Sequence, residues 1–137
     1  MGKLGRFFTS YYPRIKDGRG IKICISQFPP KWLKEGEDYD FWMPELAPTT
    51  GDLMDYKHGK ISLEKFKQKY EDNVLSLPPA RHKLKLIRNF LNKGHDVTVY
   101  CYEVPKKYAS EKHPYKYCHR EELRDYFSLI GYESEEL

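Results

Sequence analysis

The run Val97-Thr-Val-Tyr-Cys101, inside "DVTVYCYE" at 96–103, constrains the fold more than any other stretch. It is almost continuously apolar and β-branched. A strand with one wet face would alternate; one buried on both faces reads like this. Helical patterns lie on both sides of it in sequence. Ala80, Leu84, Ile87 and Leu91 form a stripe at helical spacing before it, and Leu123, Phe127 and Ile130 form another after it. A buried strand between helices predicts an α/β chain with a small, mainly parallel sheet covered on both faces.

The rest of the chain fits that frame. "IKICISQ" at 21–27 is a second strand, stopped by Pro29-Pro30, and residues 5–10 supply a short first one. Asp17-Gly18 and Gly20 mark the turn between them. Thr50 is the expected cap of a helix over 51–57, closed near Gly59. Ser62 caps the next, with Leu63, Phe66, Tyr70 and Val74 on one side. Pro78-Pro79 suits a first turn. Strands 21–26 and 97–102 are expected to be parallel neighbours, since the helices between them are long enough for a crossover. Residues 28–48 hold four prolines, both tryptophans, Tyr39 and Phe41. A connection this long is expected to be ordered and to form the lid or wall of a pocket; packing at one end of the core is the alternative.

A chain of 137 residues is expected to be one domain, 1–137, with a real core and no need of staples. An aromatic share of 15% excludes a disordered chain, and no stretch is apolar enough to span a bilayer. The start, "MGKLGRFFTSYY", carries no signal-peptide pattern. Three cysteines are too few for a secreted disulfide scaffold, so a cytoplasmic setting is expected. A formal charge of +4 favours phosphate-bearing partners weakly and is also met by a lysine-rich solvated surface.

Chemistry concentrates between residues 97 and 127. In parallel sheets ligands bind beyond the carboxyl ends of the strands. Those ends are Thr9-Ser10-Tyr11, Ser26-Gln27-Phe28 and Tyr102-Glu103, and a helix opens nearby on Cys118-His119-Arg120. A helix N-terminus favours anions, and an arginine adds a planar fork of donors. A cysteine there, beside His119 and Arg120, is expected to have thiolate character. Glu103 can accept a proton, orient His119 or bind a ribose hydroxyl. The candidate catalytic residues are therefore Cys118, His119 and Glu103. The candidate ligand contacts are Arg120, Ser26, Gln27 and Tyr102, with Trp32 or Trp42 over a base. The bland alternatives are a small residue at a helix start for Cys118, a structural His119, and an Arg120 paired with an acid. Cys24 and Cys101 read as small core residues. No metal is expected: zinc accepts Cys101, His113, Cys118 and His119 as donor types, but adjacent Cys118 and His119 are poorly placed for one ion. No Gly-rich phosphate loop, serine elbow or zinc-protease helix occurs, and no cofactor is indicated.

The segments "FTSYY", "ISQFPPKW", "PELAPT", "LMDYKHGKIS", "FKQKYEDNVL", "DVTVYCYE" and "CHREEL" come in an order that resembles a microbial and phage family of unknown function. The likeness is to its Cys-x-Glu…Cys-His-Arg branch, with YeaO-like proteins more distant. It implies a Rossmann-like layout and puts the motif on Cys101, Glu103, Cys118, His119 and Arg120, with Ser26, Pro29 and Pro30 at the second strand's end. The loop between Glu103 and Cys118 is longer and more basic than the family's.

The expected function is binding of an anionic small molecule, a nucleotide or derivative, with thiol or acid/base chemistry as an option. The alternatives are a nucleic-acid-associated module using the basic aromatic loop 105–117 and a phage or host interaction protein without catalysis.

Overall fold

The computed structural model describes residues 2–137. Five strands form one sheet: β1 (Phe7–Tyr11), β2 (Ile21–Cys24), β3 (Phe41–Trp42), β4 (Val97–Cys101) and β5 (Ser134–Glu136). Their order is β3-β2-β4-β1-β5, and every pairing is parallel. β4 lies at the centre because its apolar run alone tolerates burial along its whole length. β2 and β4 are parallel neighbours, Ile21 facing Val97 and Cys24 facing Tyr100, as their apolar character predicts. The chain is α/β, with helices packed on the sheet.

The two faces are covered differently. Four helices, α1 (Thr50–Lys57), α2 (Leu63–Tyr70), α3 (Pro78–Asn92) and α4 (His119–Leu129), accompany the sheet. Leu84, Ile87 and Leu91 of α3, with Leu123 and Phe127 of α4, pack in one core with Phe7, Ile23, Val97, Val99 and Cys101. The intervening residues of β4 face the other way. There Tyr100 packs with Tyr12, Ile15, Cys24, Leu33 and Tyr39, so a 3-10 turn (Tyr12–Asp17) and the connection after β2 close that side. Thr98 is buried without penalty because its hydroxyl accepts from Arg19 N–H (2.9 Å) and donates to Arg19 carbonyl (2.8 Å).

Several expectations shift. Strand 1 runs 7–11, not 5–10. The cap of α1 is Thr49, whose hydroxyl accepts the Asp52 N–H at 3.2 Å; Thr50 is already helical. Residues 28–48 are not one loop, since they carry the edge strand β3 and send Met43 and Leu46 into the core. β5 was not foreseen, because Ser-Glu-Glu has no strand propensity and is held as a strand by its pairing with β1. Among the described residues no helix is long and apolar enough to cross a membrane.

One turn is tightly specified. Gly20 has φ +66°, and a Cβ there would overlap the Asp96 carbonyl, which accepts the Ile21 N–H at 2.8 Å. Gly20→Ala is expected to cost about 1–3 kcal/mol, read as a lower urea midpoint with an unchanged m-value.

Candidate functional site

A cavity of about 280 Å³ opens beyond the carboxyl ends of β2 and β4. Its walls come from four places: Ser26-Gln27-Phe28 after β2, Ala47-Pro48 with Leu53 and Lys57 of α1, Phe66 of α2, and Cys101-Tyr102-Glu103 facing Tyr117-Cys118-His119. The position follows from the sheet. Central strands end side by side, and the loops that leave them diverge.

Each wall is fixed by a local bond. Ser26 Oγ donates to the Phe28 carbonyl at 3.0 Å and accepts the Tyr12 hydroxyl at 2.5 Å, folding the segment back after β2. Burial, the first cause, holds the Tyr12 phenol far above its usual pKa, so it is a donor. Gln27 Nε2 ties that segment to the Pro48 carbonyl (3.0 Å), and Tyr102 hydroxyl donates to the Phe28 carbonyl (2.7 Å). Lys57 Nζ lies 3.3 Å from Glu103, so the acid sits at the rim in an ion pair.

The inner end is sulfur-rich. Cys101 ends β4 and Cys118 caps α4; their sulfurs meet across a Cα separation of 7.5 Å. His119 Nε2 is 2.7 Å from the Ile25 carbonyl and its Nδ1 is 3.4 Å from Cys118 Sγ. A carbonyl only accepts, so Nε2 carries the proton and the bare Nδ1 lone pair faces the sulfur. Burial first, opposed by the Ile25 bond and helped by the Arg120 charge, lowers the His119 pKa to about 4. The ring is neutral at pH 7.

Six of the nine expected site residues come together here: Cys118, His119, Glu103, Ser26, Gln27 and Tyr102. Three do not. Arg120 was expected at the mouth as an anion clamp. It is fully buried beneath the cavity, with Nε 2.9 Å from Glu136 and Nη1 2.9 Å from Cys101 Sγ. Its position on the first turn of α4 turns it inward, where the β5 carboxylate meets it. Trp32 is 64% exposed and Trp42 is spent on the Ser26 carbonyl at 3.0 Å; neither lines the cavity. The helix N-terminus is also less free than expected, since the Cys118 N–H goes to Glu121 Oε2 at 3.1 Å.

Sequence reasoning missed Cys101, Lys57, Phe66 and Tyr117 as lining residues. For Cys101 a signal existed: it is the last residue of its strand, two before Glu103. Lys57 and Phe66 lie on helices whose facing direction only packing decides, and Tyr117 lies in the loop before α4. Cys101, Cys118 and His119 also bring three donor atoms within 4.8 Å of one another, which answers the objection that adjacent Cys118 and His119 cannot face one point.

The loop after Glu103 turns its aromatics inward. Tyr108 stacks on Tyr11 and lies under Arg14, and Lys106 sits over Tyr115. Tyr115 hydroxyl donates to Glu121 at 2.8 Å, and Tyr117 hydroxyl donates to Glu122 at 2.8 Å. These bonds hold the loop against α4.

Compared with known proteins, residues 7–130 match the family model described as the active DUF488-N3 subclade, DUF488-N3a. No curated protein and no solved structure matches the chain.

Proposed function

We propose, for a chain that belongs to the DUF488-N3a family of unknown function, that the cavity binds a nucleotide-type small molecule and acts on it by thiol chemistry. One observation carries this: His119 is held with its bare nitrogen on Cys118 at the closed end of an aromatic-walled cavity. A nucleophilic sulfur needs a base in reach and a third group to orient that base; the Ile25 carbonyl is the third group. Phe28, Phe66, Tyr102 and Tyr117 suit a flat ring, as base–aromatic stacking needs only π faces. Lys57 takes over the anion-binding role expected of Arg120, because it is the cation that lines the cavity. Glu103, paired with it, is placed for a sugar hydroxyl.

In the reduced protein, His119 Nδ1 accepts the Cys118 proton as the sulfur attacks an electrophilic atom of the ligand. A thiolate 3.4 Å away favours the imidazolium, so the pair charges together as the reaction proceeds. The ring can then return the proton to a leaving group.

The loop reading is less favoured, because the faces of Tyr108 and Tyr115 are already covered by the protein's own cations. The two readings separate in one experiment. Reduced protein is titrated with nucleoside monophosphates and with single-stranded oligonucleotides at rising salt. A cavity ligand is expected to raise Tm with little salt dependence. Tyr102→Ala is expected to weaken it by about 1–3 kcal/mol through lost stacking. Oligonucleotide binding that falls steeply with salt, with no mononucleotide effect, would overturn the cavity reading.

A further inference from the structure

We propose that Cys101 and Cys118 are a reversible dithiol–disulfide couple that gates the cavity, with Cys101 the attacking and Cys118 the resolving sulfur. This goes beyond the ligand reading, because it requires no substrate in the cavity and its test uses none.

Four features carry it. The two sulfurs come from different elements, the end of β4 and the cap of α4, yet meet at one point. Both residues line the inner end of the open cavity, Cys101 being 1% and Cys118 3% exposed. Each sulfur also has a partner suited to the reduced state. Arg120 Nη1 donates to Cys101 Sγ at 2.9 Å, which stabilises a thiolate. His119 Nδ1 faces Cys118 Sγ and can accept its proton. Stabilising the reduced form makes a couple easier to reduce. A disulfide kept only for strength has no use for a buried guanidinium on one sulfur and an oriented base on the other.

The third cysteine supplies the contrast. Cys24 is fully buried on the opposite face of the sheet, and burial pushes its pKa up to about 12. It does not line the cavity.

The step balances with a low-molecular-weight disulfide, RSSR, as oxidant. The Cys101 thiolate attacks one sulfur of RSSR; the Cys101–SR bond forms and RS⁻ leaves. His119 then takes the Cys118 proton, the Cys118 sulfur attacks Cys101 Sγ, and the second RS⁻ leaves, taking the proton from His119. Two electrons pass from the protein to RSSR. Excess dithiol reverses both exchanges. In the closed state neither sulfur is a nucleophile, so the thiol chemistry of the cavity is off.

Full-length protein is equilibrated with oxidised glutathione or with dithiothreitol. Each sample is quenched in acid, unfolded in denaturant and alkylated with iodoacetamide, and intact mass and peptide maps are read. After dithiothreitol all three cysteines are expected to take label. After oxidised glutathione only Cys24 is expected to, with a peptide linking Cys101 to Cys118, and dithiothreitol under native conditions is expected to restore the rest. Cys101→Ser and Cys118→Ser should each abolish the linked peptide. His119→Gln can still donate to the Ile25 carbonyl. It is expected to slow closure by about 10²-fold near neutral pH, the range for a lost general base, with the final extent of closure unchanged.

Three labels after oxidation overturn the proposal, as does a single label after native reduction, which would mean a permanent structural bond. Stoichiometric zinc in the freshly purified protein, shielding Cys101, Cys118 and His119, overturns it in favour of a metal centre. Mononucleotide binding is read separately, so its failure leaves this result untouched, and the reverse holds too.

Discussion

Arg120→Met is expected to destabilise the fold by about 3 kcal/mol or more, the cost of breaking a buried ion pair from one side. Arg120 is wholly buried, and the Glu136 side chain that it meets is only 14% exposed. The Glu136 carboxylate keeps one other bond, from Thr9 Oγ1 at 2.7 Å, which does not neutralise its charge, and Lys107 Nζ donates to the Glu136 backbone carbonyl at 2.9 Å. Methionine fills much of the same volume, so the loss reports charge rather than a cavity. Arg120→Met with Glu136→Leu is therefore expected to recover most of the stability, since replacing a whole buried pair with apolar groups is often neutral. Urea denaturation of the wild type, both single variants and the double variant gives the coupling directly. If Arg120→Met alone is neutral, the pair is not what fastens β5 to α4. From sequence, Arg120 looks like a ligand clamp whose loss would cost binding and little stability. Its burial reverses that expectation: stability falls, and the guanidinium does not line the cavity.

Acidification provides the second large effect. The folded pKa of His119, about 4, lies below the ordinary value of 6.5, so the unfolded chain binds a proton that the folded chain refuses. Stability is therefore complete above about pH 6.5 and declines as pH falls from there towards 4. The full loss from this group approaches about 3 kcal/mol, at about 1.4 kcal/mol per pH unit. It belongs to the oxidised protein, because in the reduced protein a Cys118 thiolate would favour the charged ring. Denaturant midpoints for the oxidised protein are expected to fall across that window, and His119→Gln to flatten the fall. Asp52 acts separately. Its pKa is lowered first by Asn73 and then by Thr49 and Lys69, so its contribution is lost only at pH below the ordinary carboxylate range. A slope that persists between pH 6.5 and 4 in His119→Gln would assign the effect elsewhere.

The two effects meet at one place. Arg120 and His119 are consecutive residues on the first turn of α4, and they reach opposite ends of the sheet's carboxyl edge. His119 goes to the Ile25 carbonyl beyond β2, and Arg120 to Glu136 on β5. Between them the turn sets Cys118 against Cys101. The motif is thus a structural lock through Arg120, while Cys118 and His119 of the same turn line the cavity.

The sequence by itself determined the framework. The continuous apolar run at 97–101 had to be a central strand, because no alternating pattern offers it a wet face. The parallel β2–β4 pair, the stripe of α3, Leu123 and Phe127 of α4, and the placing of Ser26, Gln27, Tyr102, Glu103, Cys118 and His119 at one end of the sheet followed from that, whereas Ile130, expected on the inward face, caps α4 and is exposed. Local chemistry also gave the Ser62 cap and the Pro78 start of α3. Tertiary structure decided whatever depends on direction and distant partners. β5 exists because β1 offers it an unpaired edge, which three polar residues cannot announce. Trp32 turned to solvent and Lys57 into the cavity because the packing of the connection and α1, not their composition, sets those directions. Arg120 became a buried strut because its partner, Glu136, lies sixteen residues on, in a strand visible only once folded. Cys101, a plain core residue in its strand, became half of a sulfur pair because α4 starts where β4 ends.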